Sequence, residues 1–176
     1  EFGKSDANRI KAQKFRQKVF RNSENGLDED QFDAVSDHCL IFDKKNSDRL
    51  VFVFRSRTFA SMEDILCSYS AQHYDLTKLT DLPFKPMEIG RLCIDQQNSD
   101  PFLLLSAFNY LRSLISSRRI DLMFGCTSFS GADNPRHLAT LSSLEKTQLA
   151  DPMFPIKKKS SSVLYIKQKI TGARKD

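Results

Sequence analysis

Apolar residues recur at helical spacing at Ala12, Phe15 and Val19, so a helix is expected from a cap at Asp6 or Asn8 to about Arg21. Lys11, Lys14 and Lys18 lie together on another face of it. Residues 22–36 carry no such period and read as an irregular acidic loop. His38–Asp43 and Leu50–Arg57 are apolar and β-prone, and the Asn-Ser-Asp turn signal between them predicts an antiparallel hairpin. Ser61–Ser70 is expected to be helical, and Gln72–Leu82 a second short helix or turn. Pro83 and Pro86 precede a strand at Met87–Ile94. Ser99-Asp100-Pro101 starts a helix that runs to about Arg118, with Leu104, Phe108, Leu111 and Ile115 as its apolar stripe. Asp121–Thr127 is mostly apolar and predicts a central strand. A loop at Ser128–Asn134, a helix at Pro135–Gln148 and a last strand at Ser162–Lys169 complete the reading.

This order predicts one α/β domain, a mixed sheet with helices on both faces. Glu1-Phe2-Gly3 is set aside. The domain is expected over residues 4–170, with a basic tail over 171–176.

The 176 residues suffice for one sizeable core, and 40% apolar against 28% charged residues is a folded rather than a disordered composition. Apolar runs are only a few residues long, as at Leu103–Leu105, which excludes a membrane-spanning helix; no segment has the layout of a signal peptide. Four cysteines, at 39, 67, 93 and 126, form no CxxC pair and no Cys/His cluster. That excludes a zinc ribbon and points to a reduced cytoplasmic protein with no bound metal. Six glycines argue against a glycine-rich phosphate loop. The net charge of +5 is unevenly spread: Asn8–Arg21 holds six basic residues and no acid, and Glu24–Asp43 seven acids with no Lys or Arg. From Lys157 onward the chain is basic again. Such a protein could attract an anionic macromolecule at one surface and a cationic small molecule at another, or simply carry solvated faces.

Glu88 and Arg91 stand three apart on an apolar strand and would point to opposite faces unless Gly90 marks a bulge. Two readings stand: a structural Glu–Arg ion pair, or a desolvated general base with its neighbour. Asp30 and Asp33 could hold the cationic end of a substrate or brace their own loop. Arg16, one turn before Phe20, could reach that loop and orient its carboxylates. Cys126, in Gly125–Gly131, would need a base and a lowered pKa to act as a nucleophile. It reads as a buried, inert thiol, as do Cys39, Cys67 and Cys93. His38 reads as a strand-edge residue.

Several of these motifs together resemble a known framework. R-Q-K-V-F (16–20), D-E-D-Q-F-D (28–33), Arg55 and E-I-G-R (88–91) are similar to the acyl-homoserine-lactone (autoinducer) synthases. S-D-H-C (36–39), E-I-G-R (88–91), M-F-G-C-T-S-F-S-G (123–131) and L-A-T-L-S-S-L (138–144) resemble a sister family more closely, the ornithine-acyl-ACP N-acyltransferases of ornithine-lipid synthesis. The resemblance covers roughly residues 9–146. The second strand departs from that family's G-T-Y-R, keeping only the arginine in F-V-F-R (52–55), and the chain has no tryptophan, unlike the autoinducer synthases. Beyond Leu149 neither family aligns.

The resemblance implies a GNAT-like mixed sheet, splayed at its fourth and fifth strands so that a pantetheine arm lies between them. It implies amide formation between the α-amine of an amino acid, ornithine, and a (3-hydroxy)acyl chain on acyl carrier protein, giving lyso-ornithine lipid. No cofactor is then resident; the donor is the carrier's phosphopantetheine arm. Glu88 would accept the amine proton with Arg91 beside it. Asp30 and Asp33 would hold the acceptor, Arg16 would brace them, and Arg55 and Arg91 would order the loop or meet the acceptor carboxylate. Phe20, Ser128 and Phe129 would line the substrate site. Lys11, Lys14, Lys18, Arg118, Arg119, Lys157, Lys158 and Lys159 would dock the acidic carrier. Asp95–Asp100 has no glycine and no base, which suits a carrier-protein donor better than coenzyme A. The expected location is the cytoplasm, with peripheral contact to the inner membrane. Alternatives are homoserine-lactone synthesis from S-adenosylmethionine, or a non-catalytic basic module. Val51–Arg57 weakly resembles a nucleic-acid stacking surface, but no nucleic-acid motif is present.

Overall fold

A computed structural model describes residues 1–97, 100–128, 137, 141–144, 154 and 156–159. Its strands are β1 (Phe2–Gly3), β2 (Asp37–Phe42), β3 (Leu50–Thr58), β4 (Tyr74–Asp75), β5 (Pro86–Ile94), β6 (Leu122–Phe124) and β7 (Lys157–Lys158). The helices are α1 (Asp6–Arg21) and α2 (Leu103–Arg118). The main sheet has the order β1-β2-β3-β5-β6, antiparallel except for the parallel β5–β6 pair; β4 and β7 form a small antiparallel sheet of their own. Phe2 and Gly3, set aside on sequence, join the sheet opposite Cys39 and His38.

The two helices cover opposite faces. Ala12 of α1 packs with Leu40, Val53 and Cys93. Ser5, rather than Asp6 or Asn8, caps α1, accepting the Asn8 N–H at 3.2 Å. Asn22 ends α1 in the left-handed region, which asparagine tolerates. On the other face, α2 buries Leu103, Ala107, Leu111 and Leu114 against Cys39, Val51, Phe52, Phe54 and Met87. The apolar stripe is therefore rotated from the expected one, leaving Leu104 42% and Phe108 54% exposed. The Leu103–Leu105 run allows either choice, and small Ala107 lets the helix approach the sheet. Phe52 and Phe54 are core residues, so Val51–Arg57 offers no aromatic stacking surface.

Residues 61–82 fold as short 3₁₀ turns at Glu63–Cys67, Ser70–Gln72 and Thr77–Leu79, not as the expected helices. They enclose a second core of Phe59, Met62, Ile65, Ala71, Leu76 and Leu79. The β6 strand is shorter than expected and, among the described residues, lies at the sheet edge. The strand expected at Ser162–Lys169 lies outside the described residues, as do the tail and most of the helix expected at Pro135–Gln148.

Two features of β5 position the site. Arg55 pairs with Gly90 but Val53 with Cys93, so β5 carries one extra residue. Arg91 sits in this bulge at φ 53°, a conformation strained for a non-glycine residue. Pairing with β6 then stops at Glu88↔Phe124, while β5 continues to Ile94. Among the described residues the two strands are unpaired after Glu88, and this is the fork of the sheet. At the fork, a Cβ on Gly125 would stand 2.1 Å from the Ile89 carbonyl oxygen. Gly125→Ala must force the two strands apart there. A loss of about 1–3 kcal/mol is expected in urea unfolding; a variant as stable as the parent would refute the close approach.

Candidate active site

Three aspartates of the acidic loop meet three arginines from α1, β3 and β5. Arg16 Nε lies 2.9 Å from Asp28 Oδ2 and its Nη2 2.7 Å from Asp33 Oδ2. Arg55 Nη1 bonds Asp30 and lies 2.7 Å from Asp33 Oδ1. Arg91 Nη2 lies 3.0 Å from Asp30 Oδ2, and its Nη1 3.5 Å from Asp28 Oδ1. Gln13 Nε2 adds a hydrogen bond of 2.9 Å to Asp33. Three charges of each sign cancel, and mutual hydrogen bonding is what makes such burial tolerable. Burial raises the Asp33 carboxyl, but Gln13, Arg16 and Arg55 outweigh it and hold the group at about 2. For Asp30, burial is likewise outweighed by Arg55 and Arg91, and its pKa is lowered.

This geometry differs from the expectation for Asp33, whose two oxygens are both engaged and which is 2% exposed, so it cannot touch a substrate. Arg16, 1% exposed, makes the bracing contact expected of it, with Asp33 and with Asp28. They hold the loop on the sheet. The network members with side-chain surface left are Asp30 and Arg91, at 18% and 24%.

Glu88 is buried at the fork. Its Oε1 accepts hydrogen bonds from the Ser70 N–H at 2.7 Å and the Ser70 hydroxyl at 2.6 Å, and its Oε2 accepts the Tyr69 N–H at 3.2 Å. The described residues contain no Glu88–Arg91 ion pair; each group has its own partners. The bulge nevertheless brings both to Tyr69, whose ring lies 5.7 Å from the Arg91 guanidinium and 5.9 Å from that of Arg55. Phe32 meets the same ring edge-on at 5.7 Å.

Sequence reasoning singled out neither Tyr69, Ser70, Asp28 nor Gln13. Asp28 could have been found as the first acid of D-E-D-Q-F-D. Tyr69 and Ser70 carry no local signal, because they are recruited by the path of residues 61–72, and Gln13 is one polar residue among several on α1. Cys126 is half-buried and donates to the Ser70 hydroxyl at 3.4 Å. Cys39 and Cys93 fit the inert expectation, with burial pushing both thiols up to about 12. Cys67 does not, being exposed at the end of a turn. His38 is wholly buried rather than at an edge, its Nε2 3.0 Å from the Asp33 carbonyl. Burial lowers its pKa, and since a carbonyl only accepts, Nε2 carries the proton.

The remaining expected residues scatter. Phe20 is exposed on the last turn of α1 and lies outside the ion network. Ser128 is exposed beyond β6, and Phe129 lies outside the described residues. Among the basic residues, Lys11 pairs with Glu1, Lys18 with Glu24, and Arg118 with Asp37. Lys14, Arg119, Lys157 and Lys158 are exposed, and Lys159 Nζ donates to the Ala71 carbonyl at 3.0 Å. Among the described residues no helix is long and apolar enough to cross a membrane, and no His/Cys/Asp/Glu group is arranged to hold a metal.

A profile of the acetyltransferase (GNAT) domain matches residues 11–105. The chain is 30% identical over 114 residues to an L-ornithine N(alpha)-acyltransferase of Rhodobacter capsulatus, covering 62% of this chain and 44% of that protein. A protein of the same name from Agrobacterium fabrum is 32% identical over 134 residues, covering 70% of this chain and again 44% of the relative. The chain therefore spans less than half the length of these curated relatives. Among solved structures, FeeM, an N-acyl amino acid synthase from uncultured soil microbes, superposes with a TM-score of 0.54 at 14% identity. That match covers 82% of this chain and 80% of the other and shows a common fold.

Proposed function

Because this chain belongs to the GNAT acetyltransferase family, we propose that it transfers an acyl group to the α-amine of an amino acid, ornithine, from acyl carrier protein. The observation that carries this reading is the position of Glu88, a buried carboxylate fixed by three hydrogen bonds where β5 and β6 part. A thioester in the gap and an amine in front of Glu88 would meet there. The acceptor enters as an ammonium and loses two protons: one goes to solvent through Glu88, and one finally resides on the leaving thiol. As the N–C bond forms, charge gathers on the carbonyl oxygen, where backbone N–H groups of the opened sheet can stabilise it. Asp30 would face the acceptor's side-chain ammonium and Arg91 its carboxylate; these two have exposed side-chain surface beside Tyr69.

The entrance to α2 supports a carrier-protein donor. A pyrophosphate would need free N–H groups and positive charge there. Instead, Asp100 Oδ1 already accepts the Phe102 N–H at 2.9 Å, and Asp95 is engaged by Arg49 at 2.7 Å. The exposed Lys14, Arg119 and Lys157 would meet the carrier's acidic surface.

A matrix assay tests the reading: acyl carrier protein thioester or acyl-CoA, each with ornithine, lysine or S-adenosylmethionine, read by mass spectrometry. Lyso-ornithine lipid is expected from the carrier-protein thioester with ornithine. An acyl-homoserine lactone would overturn the acceptor, equal use of acyl-CoA the donor, and no product from any pair the activity itself.

A further inference from the structure

One chain of contacts at the fork is not used by the mechanism so far. The Cys126 thiol donates to the Ser70 hydroxyl at 3.4 Å, and that hydroxyl donates to Glu88 Oε1 at 2.6 Å. Glu88 stands on β5 at its last residue paired with β6, and Cys126 lies two residues beyond Phe124, the partner of Glu88 on β6. The carboxylate and the thiol thus flank the start of the gap from its two arms, with Ser70 between them.

We propose that Ser70 and Cys126 form a proton path from Glu88 to the departing sulfur, with Cys126 as the group that protonates the thiolate. This inference rests on the reading of Glu88 as the acceptor of the amine proton. As the N–C bond forms and the C–S bond breaks, the nitrogen gives its second proton to Glu88. The leaving sulfur takes the Cys126 Sγ proton. Cys126 regains one from the Ser70 hydroxyl, and Ser70 from Glu88. One proton has moved from nitrogen to sulfur, and all three side chains end as they began. Burial pushes the Cys126 thiol above its ordinary range, against the Ser70 hydrogen bond, and the Glu88 charge acts in the same upward direction. That keeps the thiol protonated, which suits a donor and opposes a nucleophile.

The test uses a leaving group that needs no proton. Ornithine is offered with decanoyl-pantetheine or with the decanoyl thioester of 4-nitrothiophenol, whose thiolate is stable at neutral pH. With the pantetheine ester, Cys126→Ala and Ser70→Ala are each expected to lower kcat by about 100-fold, the lower end of general acid–base effects. With the nitrothiophenyl ester, Cys126→Ala should run at the parent rate, which also proves it folded, while Ser70→Ala, which also loses a hydrogen bond to Glu88, should recover only part of its loss. Loss of rate in Cys126→Ala with both esters, or with neither, overturns the path. Glu88→Gln should be slow with both; if it matches the parent with both, the underlying reading of Glu88 fails instead. Intact mass spectrometry of the purified variants confirms the substitutions before assay.

Discussion

Glu88→Gln is expected to lower kcat for ornithine acylation by about 100- to 10,000-fold, the range supplied by a positioned general base. The substitution keeps the side-chain shape and the carbonyl oxygen that Ser70 addresses twice. What it removes is the capacity to take a proton. The new amide NH₂ would face the Tyr69 N–H, donor against donor, so one hydrogen bond is lost, costing about 1 kcal/mol of stability. A small shift in melting temperature beside a large loss of rate is therefore the expected result. KM for ornithine should change little, since Asp30 and Arg91 remain. A Gln variant that turns over at the parent rate would remove Glu88 from the chemistry and leave only its structural role.

The second large effect is on folding. Asp33→Ala should cost about 3–5 kcal/mol, because it strands two buried arginines, Arg16 and Arg55, without a shared carboxylate. Urea unfolding at neutral pH measures this directly. The same group makes stability fall with acid. Its carboxyl is held at about 2 in the fold, against an ordinary 3.8. A depressed carboxyl stabilises the fold above the unfolded value, and the contribution is lost as pH falls from about 4 towards 2. Its size is about 2 kcal/mol. The gap between parent and Asp33→Ala should therefore narrow over that window. A gap that stays constant down to pH 2 would contradict the ion network as the source of the loss.

Asp33 also shows where the boundary between pattern and fold lies. The D-x-x-D spacing and Arg16 one turn from Phe20 suggested a loop braced by an arginine. They did not reveal that Asp33 is sealed away from substrate while Asp30 keeps a surface. That difference comes from Arg55 and Gln13 converging on Asp33 from β3 and α1. On α2, helical spacing was plain but the buried stripe was not, since the triple leucine fits two rotations of the helix.

Local order along the chain by itself determined the two main helices, the β2–β3 hairpin, the apolar strand bearing Glu88 and Arg91, and the kinship with amino-acid acyltransferases. Each of those depends on neighbours within a few residues or on motifs that survive as linear strings. Only the tertiary structure decided that one extra residue in β5 turns Arg91 to the side of Glu88, and that Arg91 reaches Asp30, 61 positions away. It likewise decided that a turn at Ser70 joins a thiol 56 residues downstream to the carboxylate at the fork. Periodicity records which face a side chain takes within its own element. Which distant charge or hydroxyl stands opposite depends on the path of the whole chain, and no local pattern encodes it.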